Sequence, residues 1–145
     1  MKFWDSSAVV PLLVRERSTP FYERLYAGDP DMTVWWGTGV ECVSALARYE
    51  RDPRLSASVA IEEGFRRLEE AASRWHEIAA GAAVKEVALA LLRRHALRAA
   101  DALQLAAALT AREHRPSPLE FVCADRDLLA AAKKEGLATI VPEAD

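Results

Sequence analysis

The chain is 145 residues long, with 51% apolar or aromatic and 28% charged side chains. That is the length and mix of one globular domain, and it excludes a disordered or fibrous chain. The formal net charge of −3 excludes a protein that grips nucleic acid by bulk charge alone, while leaving room for one that meets phosphate through a bound metal.

No run approaches the ~20 apolar residues that a membrane helix needs. Met1 to Asp5 reaches an acid before any apolar run, so it does not read as a signal peptide. Cys42 and Cys123 are the only cysteines and neither lies in a C-x-x-C pair. This argues against a disulfide framework or zinc ribbon, and the default expectation is a cytoplasmic protein. Arginine (15) far exceeds lysine (4), and alanine is abundant, a composition that a GC-rich genome explains.

In chain order, Lys2 to Trp4 reads as a first strand ending at Asp5. Ser6 and Ser7 are expected to cap a helix over Ala8 to Val14. A second helix over Thr19 to Tyr26 is closed by Gly28 and Pro30. Met32 to Trp36 is β-branched and aromatic and reads as a buried strand. Thr38 is expected to cap a helix from Val40 to Glu50, broken at Asp52-Pro53. Leu55 to Ala72 has helical spacing through Val59, Phe65 and Leu68, and Trp75 to Ala79 holds a short strand or a turn. Val84 to His95 and the alanine-rich Leu97 to Arg112 are helical. Leu119 to Cys123 is a strand, Asp125 to Glu135 a helix closed by Gly136, and Ala138 to Val141 a last strand. Strands separated by helices imply parallel βα units, hence one α/β domain over 1–145 with a central parallel sheet.

In such sheets ligands gather at the carboxyl ends of the strands. Asp5 and Asp125 follow strands; Glu41 and Asp101 lie near helix starts, at the same edge. Each has an ordinary reading taken alone. Asp5 and Asp125 can cap helices, and Glu41 and Asp101 can sit on a helix dipole. Four carboxylates together would repel one another unless a cation is present. Hard oxygen donors without His or Cys suit Mg²⁺ or Mn²⁺, which can activate water and neutralise charge on a phosphodiester.

The stretches carrying these acids are Phe3-Trp4-Asp5-Ser6-Ser7-Ala8-Val9-Val10, Glu41 followed by Ser44-Ala45-Leu46-Ala47-Arg48, Ala100-Asp101-Ala102-Leu103-Gln104-Leu105-Ala106, and Phe121-Val122-Cys123-Ala124-Asp125-Arg126-Asp127-Leu128. In order and over essentially the whole chain, they resemble the successive motifs of the PIN domain, in particular the VapC ribonuclease toxins of type II toxin–antitoxin pairs. The resemblance implies a three-layer α/β/α sandwich and an acidic pocket for Mg²⁺ or Mn²⁺. It implies hydrolysis of RNA by in-line attack of water, leaving a 5′-phosphate and a 3′-hydroxyl. It also implies a homodimer and a cognate antitoxin as partners. Asp5, Glu41, Asp101 and Asp125 match the four catalytic, metal-site acids. On that match Asp5 and Asp101 are the most direct ligands, Asp125 completes the inner site, and Glu41 holds a second ion or orients waters. Ser7 matches a small hydroxyl residue that follows the first acid, and capping the helix is its ordinary role. Cys123 departs from the family's usual Thr or Ser, and a thiol is a poorer hydrogen-bond partner. Asp127 is a more peripheral candidate.

Arg48, Arg98 and Arg126 are candidates for RNA phosphates, against surface solubility and local ion pairs. Trp35 or Trp36 can stack a base, although a strand buries at least one; Trp4 and Trp75 read as packing. His76, His95 and His114 fit neither a zinc set nor a relay. Two other functions compete. A phosphatase or phosphoacceptor with Asp5 as nucleophile lacks an acid at position 7, where Ser7 stands. A catalytically silent PIN-like binding or assembly module is the alternative, but such modules lose acids that this chain keeps.

Overall fold

The computed structural model describes residues 1–56, 60–115 and 117–143. Its strands are β1 (Lys2–Trp4), β2 (Met32–Trp35), β3 (His76–Ile78), β4 (Glu120–Val122) and β5 (Ala138–Ile140). They form a single parallel sheet in the order β3-β2-β1-β4-β5. Phe3 lies opposite Thr33 on one side and Phe121 on the other, which fixes the register at the centre of the sheet.

The helices are α1 (Ser6–Leu13), α2 (Thr19–Gly28), α3 (Thr38–Arg51), α4 (Pro53–Ser56), α5 (Ile61–Ala72), α6 (Ala82–Arg94), α7 (Ala99–Glu113) and α8 (Arg126–Lys134). Strand side chains alternate between the two faces of the sheet, and this alternation builds two cores. Phe3, Trp35 and Phe121 pack with Leu91, Leu105 and Leu128 from α6, α7 and α8. Trp4, Val34 and Val122 pack with Val9, Tyr22, Leu46 and Leu68 from α1, α2, α3 and α5. The result is the expected three-layer α/β/α sandwich.

The chain first steps from β1 to β2 to β3, with α1 to α5 between the strands. It then crosses to β4 and β5 on the other side of β1, with α6, α7 and α8 covering the opposite face. The strand order therefore reverses beside β1. In a doubly wound sheet this reversal opens a crevice past the strand ends, because neighbouring connections leave in opposite directions.

Several boundaries differ from the sequence expectation, each for a local reason. Helix α1 starts at Ser6, because its cap is Asp5 rather than Ser6 or Ser7; the Asp5 carboxylate accepts the Ser7 amide. Helix α2 runs through Gly28 instead of stopping before it. Strand β2 stops at Trp35, and Trp36 turns out to solvent. Helix α3 begins at Thr38, and the position before it, Gly37, makes no side-chain cap bond. The region Leu55 to Ala72 is not one helix: α4 ends at Ser56 and α5 starts at Ile61. Val59, assigned to that helix, lies outside the described residues. His76 to Ile78 is a strand at the sheet's edge, where its exposed His76 and Glu77 are tolerated. Gly136 closes α8 at a φ of 83°, the left-handed region where a Cβ is costly.

Candidate active site

Each of the four acids stands at the start of a helix. Asp5 is the N-cap of α1 and Asp125 the N-cap of α8. Glu41 and Asp101 lie in the first turns of α3 and α7. The unsatisfied amides of a helix start carry partial positive charge, which eases the approach of carboxylates at this one edge. All four, with Asp127, line an open cleft of about 990 Å³ at the switch in strand order.

Asp5 is buried, and its Oδ2 is held firmly. It accepts the Ser7 amide at 3.0 Å and the Ser7 hydroxyl at 2.5 Å. The Ser7 hydroxyl in turn accepts the Ala124 amide at 2.9 Å, tying α1 to the loop after β4. Cys123 Sγ donates a long contact to the same oxygen at 3.7 Å and accepts the Asp125 amide at 3.3 Å. The thiol thus occupies the polar position expected of a hydroxyl, with weaker bonds. Asp125 Oδ1 accepts the Leu128 amide at 2.9 Å. Glu41 Oε2 accepts from Gln104 Nε2 at 2.5 Å.

The electrostatics follow from this crowding. Burial pushes the Asp5 carboxyl above the usual range, against the pull of its Ser7 and Cys123 bonds, and the Asp125 charge adds to the rise. Burial lifts Glu41 to about 7, where the Gln104 bond opposes the rise and Asp5 and Asp101 reinforce it. Asp101 is raised by burial and then by Asp125 and Asp5, with Arg98 opposing. Groups that feel one another in this way share one field, and such clusters of perturbed carboxyls in a cleft mark functional sites.

Comparison with solved structures places the fold. A structure from Pyrobaculum aerophilum, PAE2754, superposes with a TM-score of 0.68 at 21% identity, covering 95% of this chain and 89% of the other. The Mycobacterium tuberculosis toxin VapC20, described as cleaving the sarcin-ricin loop, superposes with a TM-score of 0.64 at 20% identity over 98% of this chain and 100% of that one. A toxin–antitoxin complex from Klebsiella pneumoniae gives 0.62 at 20% identity, over 88% of this chain and 89% of that one. The fold is PIN-like. No family model matches the sequence, and no curated protein does.

The PIN-like cleft gathers all four acids singled out in the sequence, together with Ser7 and Asp127. Arg48 and Arg98 line it as well, whereas Arg126 is exposed and outside its lining. Trp35, Trp4 and Trp75 are buried in the cores, and exposed Trp36 does not line the cleft. His76, His95 and His114 lie outside the lining too.

Among the described residues, no three His, Cys, Asp or Glu side chains already close around a common point. The carboxylates line one cleft, where like charges disfavour their close approach. Their chemistry nevertheless fits a hard divalent ion, being all oxygen and mutually repelling.

Two features of the site were not legible in the sequence. Gln104 is fully buried yet bonded to Glu41 and Thr38; the hint was a single amide inside an apolar run from Ala102 to Leu109. Tyr49 lines the cleft and donates its hydroxyl to Glu16 Oε1 at 2.9 Å, an interaction between distant segments that no spacing announces.

Proposed function

We propose that this chain is a metal-dependent endoribonuclease that hydrolyses RNA phosphodiester bonds, and the toxin of a type II toxin–antitoxin pair. The observation that carries the reading is the convergence of Asp5, Glu41, Asp101 and Asp125 on one cleft at the switch point of a PIN-like sheet. The likeness to VapC20 and to a toxin–antitoxin complex supports the toxin role.

Asp5 and Asp101 would hold a Mg²⁺ or Mn²⁺ ion most directly, with Asp125 completing the set and Glu41 orienting water or a second ion. The bound ion would supply activation of water and neutralisation of phosphate charge. The protein's own residues do the rest. Ser7 and Cys123 fix Asp5 Oδ2, so the carboxylate cannot swing away from the cleft. Burial and then mutual repulsion disfavour the charged forms of Asp5, Glu41 and Asp101, and a bound cation would reverse that preference. Arg48 and Arg98 stand on the cleft wall and would meet phosphates flanking the scissile bond. The reading brings a cognate antitoxin, a homodimer and a cytoplasmic setting as its expected context. Among the described residues no helix is long and apolar enough to cross a membrane.

The test is RNA cleavage by antitoxin-free protein in Mg²⁺ and Mn²⁺, beside EDTA and an Asp101→Asn variant. Cleavage should require the metal and fall about a thousandfold in the variant, the scale expected from losing several kcal/mol of transition-state charge stabilisation. Cleavage that survives in EDTA, or equal cleavage by the variant, overturns the reading. A protein that neither cleaves nor binds metal is instead the silent module.

A further inference from the structure

Gln104 is an awkward core residue. Its side chain is fully buried in α7, among Ala102, Leu105, Ala106 and Ala108, where a leucine or methionine would satisfy packing alone. Both bonds made by its Nε2 run to the first turn of α3: Thr38 Oγ1 at 3.0 Å and Glu41 Oε2 at 2.5 Å. Its Oε1 is buried and has no partner among the described residues. An amide is drawn in one of two orientations by its surroundings, and here a carboxylate decides which. Turning the amide over would place a carbonyl oxygen against the ionised Glu41 carboxylate, the form that can hold a cation, and repel it. The α7 helix therefore leaves one buried acceptor unpaired in order to present a donor to Glu41.

Helices α3 and α7 belong to opposite faces of the sheet. Asp101 lies three positions before Gln104 on α7, and Glu41 three after Thr38 on α3. The Gln104 amide is thus a bolt between the two helices that carry these acids. Without it, Glu41 would be free to rotate away from the negative charge of Asp5 and Asp101.

From this geometry we infer that Gln104 is a positioning residue, holding the Glu41 carboxylate toward the cleft so that it can take part in binding a divalent cation. The inference rests on the ribonuclease reading above and assigns a role to a residue that touches neither metal nor RNA.

The test is a cycle of Gln104→Met, which keeps the volume and removes the donor, with Glu41→Gln and the double variant. Mn²⁺ binding is read by calorimetry on the whole chain, and cleavage by its half-saturating Mn²⁺ concentration and its kcat. Partners that orient a metal ligand typically change affinity or activity about 10–100-fold when removed. Gln104→Met should weaken Mn²⁺ binding by that amount, while on metal-free Tm the two hydrogen bonds it removes and the buried unpaired oxygen it relieves act in opposite directions. In the Glu41→Gln background the same change should have no further effect on Mn²⁺ binding. The Gln104 side-chain amide resonances in an NMR spectrum should shift in Glu41→Gln more than in Asp101→Asn, a readout that needs neither metal nor RNA. Wild-type Mn²⁺ affinity in Gln104→Met overturns the inference alone. So does an equal loss in both backgrounds, which would make Gln104 merely structural. A wild-type chain that binds no Mn²⁺ and cleaves no RNA overturns the ribonuclease reading first, and this role with it.

Discussion

Asp125 both starts a helix and stands in the cleft. Oδ1 accepts the Leu128 amide and starts α8, while the carboxylate also lines the acidic cleft. Capping and ligation are therefore not rival readings of this residue, nor of Asp5, whose three bonds all fall on Oδ2. The two roles separate by substitution. Asn caps a helix about as well as Asp, whereas Ala costs about 1 kcal/mol. Asp125→Asn should then keep the wild-type Tm and lose RNA cleavage. Asp125→Ala should lose cleavage and also unfold about 1 kcal/mol more easily, as read by urea denaturation. Glu41 illustrates the reverse side of burial. Its carboxyl is raised to about 7 from an ordinary value of 4.5. The folded metal-free protein then holds a proton that the unfolded chain has released, so its stability is fully present below about 4.5 and is lost as pH rises through about 7. Glu41→Gln in metal-free protein should raise Tm at pH 8 and leave it nearly unchanged at pH 4.

Helix α7 joins sequence pattern and site most directly. Its alanines favour helix, its face toward the sheet is buried from Ala102 to Leu109, and its first turn delivers Asp101 to the cleft. Leu105 is fully buried in that face. Leu105→Ala should cost about 2–5 kcal/mol in urea unfolding, through lost burial and the cavity left behind. Helical spacing was enough to read α7 and α6 from the sequence, and short apolar, β-branched or aromatic runs were enough for β1, β2 and β4. Local pattern left alternatives open where tertiary context decided. Strand β3 carries exposed His76 and Glu77 and owes its pairing to the neighbouring β2. The start of α1 depended on which of Asp5, Ser6 and Ser7 captured the free amide, and Asp5 did so. The four acids were visible because carboxylates stood inside apolar runs. The Gln104–Glu41 bond was not, since it joins residues 63 positions apart.

At the scale of the whole molecule, the sheet's reversal beside β1 and the four helix starts create one negatively charged cleft in a protein of modest net charge. Folding alone assembles a set of carboxyls whose charged forms are disfavoured, so on the proposed reading a cation that binds there would favour those charged forms and stabilise the fold. The direct measurement is the Tm of the wild-type chain and of Asp101→Asn during a Mn²⁺ titration at neutral pH, without RNA. A ligand that binds only the folded state stabilises it by about 2.7 kcal/mol at a hundred times its Kd, or about 5–10 °C for a chain of this size. The account predicts a rise of that order at a hundred times Kd in the wild type, growing with the logarithm of the Mn²⁺ concentration, and a largely lost response in Asp101→Asn, whose metal-free Tm is equal or higher. A wild-type Tm that Mn²⁺ and Mg²⁺ leave unmoved, or a rise of the same size in Asp101→Asn, would contradict it.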